Sequence, residues 1–349
     1  MTDTARRWVL GLATAASLMT ALDTLVVSTA LTTIQRDLGA TAEQLEWTIN
    51  AFNLVMAVLL MPAAALGDRF GRSRMFAIGV ALFTVASVAC ALAPNVVVLV
   101  AARAAQGAGA ALVTALAMTL VGAAYPADRR GAALGILQGG SGLAVLAGPG
   151  LGGVITTTVG WEFIFWLNVP IGLAVVLLVI GKVDESRGAD TALDIRGLLL
   201  VTAAAVGLVW ALARGNATGW TSAEVLTAFV AGGLLTIAFV AWERRAAAPM
   251  LPLRLFRSRG FVAANLATVG LVVSIFGGVF FFSQLLQNAL GFTPLQAGLG
   301  LMPWTSALIV IGPFAGRLAD RVGNRPLMVG GLLLSAGGSP GSRSSCIPD

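Results

Sequence analysis

Apolar residues run in long blocks along this chain, broken by short clusters of Arg, Asp, Gly and Pro. A bilayer core of about 30 Å takes about 20 apolar residues of helix. Ten stretches meet that length: roughly 8–31, 47–67, 75–93, 96–122, 131–158, 163–181, 195–213, 223–242, 261–287 and 294–316. An eleventh begins at Pro326 and stops short. Between Met75 and Pro126 the only charge is Arg103, and Pro94 with Asn95 divides that segment into two spans. The first stretch is too long, and too directly followed by a second, for a cleaved signal peptide, so it is expected to remain as a span. The pattern predicts an all-α polytopic membrane protein.

Composition excludes the soluble alternative. The 349 residues are 57% hydrophobic and 11% charged, with a mean hydropathy of +0.89, where a soluble domain would be about a quarter charged. The net charge of +6 and pI near 10.8 would suggest nucleic acid in a soluble protein. In a polytopic chain, basic loops set orientation instead. With the N-terminus in the cytoplasm, alternate connections carry Arg6 and Arg7; Arg69, Arg72 and Arg74; Arg129 and Arg130; Lys182, Arg187 and Arg196; Arg244, Arg245, Arg254, Arg257 and Arg259; Arg317, Arg321 and Arg325. Only Arg36 and Arg214 fall on the other side, so orientation accounts for the charge and no nucleic-acid partner is needed.

The absence of histidine removes the usual catalytic base, zinc ligand and pH switch, leaving carboxylates for proton chemistry. Cys90, inside an apolar run, reads as a packing residue, and with Cys346 in the tail gives no C-x-x-C metal site. Fragments such as Gly107 to Gly109 have no preceding strand and no Walker lysine, so no nucleotide is expected to bind. With no Gly-x-Ser-x-Gly elbow either, an enzyme is not expected, and no cofactor or metal is called for.

An internal repeat organises the chain. The loop after the second span reads LGDRFGRSR, Leu66 to Arg74, and the loop after the tenth reads LADRVGNRP, Leu318 to Pro326, at an offset of 252 residues. Each copy places Asp then Arg at a helix end (Asp68 and Arg69; Asp320 and Arg321), followed by a glycine (Gly71; Gly323) where a tight turn calls for positive φ. Two related bundles are expected.

These residues resemble the G-x-L-a-D-r-x-G-r-[RK] loop signature of the major facilitator superfamily, with Ala64 in place of its first glycine. Within the fourth span, LVAARAAQGAGAA is similar to that superfamily's R-x-x-q-G motif through Arg103, Gln106, Gly107 and Gly109. In the fifth, GPGLGG resembles the G-P-x-x-G-G antiporter motif through Gly148, Pro149, Gly152 and Gly153. The runs LDTLVVSTALTTIQRDL (Leu22 to Leu38) and WEFIFWLNVPIG (Trp161 to Gly172) are similar to the fourteen-span branch of drug/proton antiporters.

The resemblance implies an N-terminal six-helix bundle over 1–182, two extra transmembrane helices with linker loops over 183–257, and an incomplete C-terminal bundle over 258–336. A polar tail, GSPGSRSSCIPD, stands where that branch would continue its eleventh helix. Cutting a helix short leaves unsatisfied backbone at membrane depth, so a truncated or frameshifted reading frame is the expected explanation.

Asp23 lies inside the first span. A charge there costs on the order of 3 kcal/mol on insertion scales, so it should face a cavity or a partner. Burial of a carboxylate disfavours its charged form, a property suited to a group that takes and releases protons. Arg103, the one cation within a span, cannot deprotonate and must be paired or solvated; whether it meets Asp23 is left open by the sequence. The resemblance implies roles for both in proton or cationic-substrate handling. It also implies a bending fifth helix, and gate loops at Asp68, Arg69, Gly71 and Arg72 and at Asp320, Arg321 and Gly323.

Asn50 and Asn53 make the second span polar, and one is expected to face the pore. Trp47 and Trp161 start spans and read as interfacial anchors. Phe165, Trp166, Phe280, Phe281, Phe282 and Trp304 read as lipid-facing or packing residues, with Trp304 a candidate cavity wall for flat cations.

The expectation is proton-coupled antiport of small hydrophobic or cationic drugs out of the cell by alternating access, driven by the proton gradient. The chain is expected to act as a multi-pass monomer in the bacterial cytoplasmic membrane. Its partners would be substrate, protons and lipid. Export of an endogenous metabolite or siderophore on the same scaffold, or a truncated product without transport, are the alternatives.

Overall fold

A computed structural model describes residues 2–188, 194–246, 249–292, 296, 300, 311–312 and 314–338. Among these there is no strand, and helices joined by short connections make up the secondary structure. The helices are α1 (Asp3–Leu38), α2 (Ala42–Phe70), α3 (Arg72–Ala91), α4 (Val96–Ala124), α5 (Arg130–Thr158), α6 (Glu162–Trp166), α7 (Asn168–Lys182), α8 (Ile195–Thr218), α9 (Ala223–Glu243), α10 (Arg259–Gln284), α11 (314–322) and α12 (Asn324–Gly338). Seven spans among the described residues are long and apolar enough to cross a membrane: α1 to α4, α6 with α7, α8 and α9.

Local chemistry sets the ends. Thr41 caps α2 by accepting from Gln44 N–H at 3.3 Å while the Gln44 side chain accepts from Thr41 N–H at 3.0 Å. Asn95, at the break expected from Pro94, caps α4 by accepting from Val98 N–H at 3.0 Å. α1 outruns its apolar stretch at both ends, from the Thr2 cap to Gly39 in the left-handed conformation, because polar residues outside the hydrocarbon remain good helix formers. The sixth stretch departs from expectation by splitting at Leu167 into α6 and α7. Pro170 lacks the N–H that would bond to Trp166 and its ring crowds that carbonyl, so the helix restarts at Asn168.

The chain divides into two compact units. One comprises residues 1–125 and 140–252, so that α8 and α9 group with the first bundle's helices. The other comprises residues 126–139, the first turns of α5, together with 253–349.

In the first unit α4 packs among α1, α2 and α3. A side chain at Gly109 would stand 2.6 Å from Phe83 N and 2.8 Å from Gly79 O, and one at Gly107 would strike the Phe52 carbonyl. Small residues thus let the backbones approach where lipid gives no hydrophobic drive to association. α5 meets α1 in parallel through a stripe of small residues four apart: Gly140 against Thr14, Gly148 against Leu25, and Gly152 against Val26 and Thr29, with Ala144 buried between them. The α8–α9 hairpin lies on α2, where Arg214 reaches Glu43 at 3.0 Å and Glu224 at 3.3 Å and Trp210 meets Trp47 at 5.2 Å.

In the second unit Asp320, at the end of α11, accepts from Gly131 N–H at 2.8 Å and Ala132 N–H at 2.9 Å. Its carboxylate closes the N-terminus of α5, where unpaired amides and the helix dipole favour an anion.

Candidate functional site

Arg103 and Asp23 meet in the first unit. Asp23 points from α1 and Arg103 from α4, and Arg103 Nη1 donates to Asp23 Oδ2. Both side chains are sealed, 0% and 1% exposed. A buried ion pair is tolerable only when its charges keep further polar partners, and here the neighbours supply them. Arg103 Nε donates to Thr48 O at 3.1 Å and Nη1 to Gln106 Oε1 at 2.6 Å. Its guanidinium carbon lies 4.3 Å from the Phe52 ring centre and 6.0 Å from that of Phe165, so the cation is flanked by aromatic rings.

The other carboxylate oxygen, Asp23 Oδ1, accepts from two amides: Gln106 Nε2 at 2.9 Å and Asn168 Nδ2 at 2.8 Å. Those amides also donate to Ser87 Oγ, at 2.8 and 3.3 Å, and Ser87 in turn donates to Phe83 O at 2.8 Å. Cys90 Sγ donates to Gln106 Oε1 at 3.7 Å. Side chains of α1, α3, α4 and α7 therefore form one network around this carboxylate, and α2 adds a carbonyl and a ring.

The sequence singles out Asp23, Arg103 and Gln106, and the structure brings them together. It does not single out Ser87 or Asn168, since a neutral polar residue in a span is common; the usable signal for Asn168 was its place two residues before a proline inside an apolar run. On α2, Asn53 is exposed and Asn50 half-buried, while the helix reaches the network through the Thr48 carbonyl and Phe52. Trp161 corrects the expectation of an interfacial anchor: it is 2% exposed, edge-on to Phe165 at 6.1 Å in the core beside α1 and α4. Trp304 and the tail beyond Gly338 lie outside the described residues.

The repeated loops hold their glycines at positive φ, Gly71 at 108° and Gly323 at 84°. In the first copy Arg72 binds Asp68 at 2.7 Å, and Arg69 lies over Phe70 at 5.5 Å. The connection after α7 straps this turn: Glu185 accepts from Ser73 N–H at 2.9 Å and Arg74 N–H at 3.1 Å, Ser186 O from Arg72 N–H at 2.8 Å, and Gly188 N–H donates to Asp68 O at 3.0 Å. In the second copy Arg321 is exposed. In the antiporter motif, Gly148 and Gly152 face α1, Gly153 has open space around it, and α5 runs unbroken through Pro149.

A polytopic helical protein with a sealed carboxylate–guanidinium pair between two of its spans is the class that these observations define. The chain belongs to the Major Facilitator Superfamily, whose match extends over residues 13–342. It is 37% identical over 319 residues to the multidrug resistance protein Stp of Mycobacterium tuberculosis, covering 90% of this chain and 59% of that protein. Against the tetracenomycin C resistance and export protein of Streptomyces glaucescens it is 38% identical, covering 91% and 60%. Against the methylenomycin A resistance protein of Streptomyces coelicolor it is 36% identical, covering 92% and 68%. The chain thus spans about three fifths of the length of the first two relatives. Among solved structures, the proton:xylose symporter XylE bound to 6-bromo-6-deoxy-D-glucose shares the fold with a TM-score of 0.63 at 16% identity, covering 94% of this chain and 72% of its own. These relatives and structural neighbours are transporters and resistance proteins rather than enzymes.

Proposed function

We propose that this chain exports small hydrophobic or cationic compounds across the bacterial cytoplasmic membrane in exchange for protons, as a member of the fourteen-span drug/proton branch with its N-terminus in the cytoplasm. The observation that carries the reading is the sealed pair of Asp23 and Arg103. An ion pair placed where charge is costly is a two-state element. A proton on Asp23 removes the charge that holds Arg103, whose remaining partners are then Thr48 O, Gln106 Oε1 and the Phe52 and Phe165 rings. Loss of the proton restores the pair. A cationic substrate and a proton would compete for the same carboxylate, which couples their opposite movements.

The gradient supplies the energy, and no cofactor is invoked. The small-residue stripe of α5 against α1 gives the Asp23 helix a surface on which it can shift without losing contact. The two repeated loops are the gates, their charge contacts made in one state and broken in the other. The names of the relatives, multidrug resistance and antibiotic export, support a drug-like substrate.

The test is dye efflux in everted membrane vesicles carrying the chain. Accumulation that collapses with a protonophore and with Asp23→Asn is expected. Accumulation that survives the substitution would overturn the role given to Asp23.

A further inference from the structure

Neutral Asp23 poses a hydrogen-bonding problem that the network answers at one residue. The Oδ2 atom faces Arg103, so while the cation stays in place a proton must sit on Oδ1. Around Oδ1 the structure places two amide NH2 groups, from Gln106 and Asn168, with Ser87 Oγ behind them. Those amides serve a carboxylate well and a carboxylic acid badly: an acid O–H needs an acceptor, and a buried donor left without one costs the full desolvation of that group. One amide has to turn its oxygen inward. Gln106 cannot, because its Oε1 is held by Arg103 Nη1 at 2.6 Å. Asn168 sits at the first position of α7, directly after the break at Leu167, and Nδ2 makes both of its hydrogen bonds to the network.

We infer that Asn168 is the positioning residue for proton binding at Asp23: its amide donates to the carboxylate, then rotates to accept from the acid. This rests on the reading of Asp23 as the proton carrier and adds the group that makes the neutral state tenable. The chemistry is a proton transfer with no other bond change. The proton joins Asp23 Oδ1, and the amide turn gives up the hydrogen bonds that Nδ2 donates to Asp23 Oδ1 and Ser87 Oγ and accepts one from the acid in their place. Among the described residues, the charged or titratable groups facing the site are Arg103 from α4 and Cys90 from α3; α2, α6 and α7 present the Thr48 carbonyl, the aromatic rings and Asn168 itself.

Substitution by leucine removes one of three donors to the carboxylate but the sole acceptor for the acid, so the acid form loses more. Proton binding to the purified chain in detergent, minus that of Asp23→Asn, isolates the Asp23 curve without requiring transport. For Asn168→Leu, half-saturation is expected at about tenfold higher proton concentration than in the parent. Asn168→Ser, whose hydroxyl can donate or accept, should return the curve most of the way. A leucine variant that stays folded, with cooperative melting, and titrates like the parent would overturn the inference, as would a serine variant no better than leucine. If the parent and Asp23→Asn bind protons identically, the proton-carrier reading itself fails, which is a different result from either.

Discussion

Asp68 and Asp320 stand 252 residues apart at equivalent places in a repeated loop, yet bind different partners. Asp68 is held by Arg72 at 2.7 Å, four residues on, while Asp320 caps the N-terminus of α5 through Gly131 and Ala132. The difference is written in one position, because Asn324 occupies the place of Arg72. Without a cation four residues on, Asp320 meets backbone amides instead.

Asp320→Ala should therefore lower the stability of the second unit by about 1 kcal/mol, the usual value of a capping carboxylate. Asn324→Arg should have the same sign by drawing Asp320 away from α5. Thermal melting in detergent checks both; an Asn324→Arg chain at least as stable as the parent would argue against the competition.

Glu185 closes the N-terminus of α3 from a connection 111 residues away in sequence, and Gly71 leaves room for its carboxylate. Glu185→Ala should release residues 183–188, so limited proteolysis there should accelerate several-fold, while Glu185→Asp keeps the charge but shortens the reach. Unchanged cleavage in the alanine variant would mean that the Ser186 and Gly188 backbone contacts hold the strap alone.

The pairing of Asp23 with Arg103 makes a double-mutant cycle informative. Asp23→Leu leaves a buried guanidinium without its counter-charge, a loss of about 3–5 kcal/mol. Asp23→Leu combined with Arg103→Met should cost less than either single change. Denaturant midpoints of the four chains give the coupling, and strict additivity would contradict the paired state.

Gly109→Val should fail to assemble, since its side chain would fall within 2.6 Å of the α3 backbone at Phe83. Gly153→Ala, where the surroundings are open, should fold normally. Monodispersity in detergent separates the two.

Much of this architecture was readable from the amino acids alone. The spans follow from hydropathy, because the bilayer imposes a length that few other folds require. Asp23 and Arg103 stood out because charge within a span demands a reason. Their meeting was not readable, nor was the convergence of Ser87 and Asn168. Helix rotation and neighbour identity arise from packing across four elements, and hydropathy gives no azimuth. The broken sixth span was visible only as Pro170, and its consequence, the placement of Asn168 against Asp23, belongs to tertiary structure. Trp161 misled for a related reason: aromatic residues at a span's start serve lipid interfaces and protein cores alike.

The role of Asp23 is tested most directly by proton movement itself. In proteoliposomes containing the chain and a trapped pH indicator, adding a cationic dye on one side should drive protons towards that side, and Asp23→Asn should abolish the proton signal even where the dye still binds. A dye-driven proton flux that persists in Asp23→Asn would contradict the assignment of the carried proton to this carboxylate.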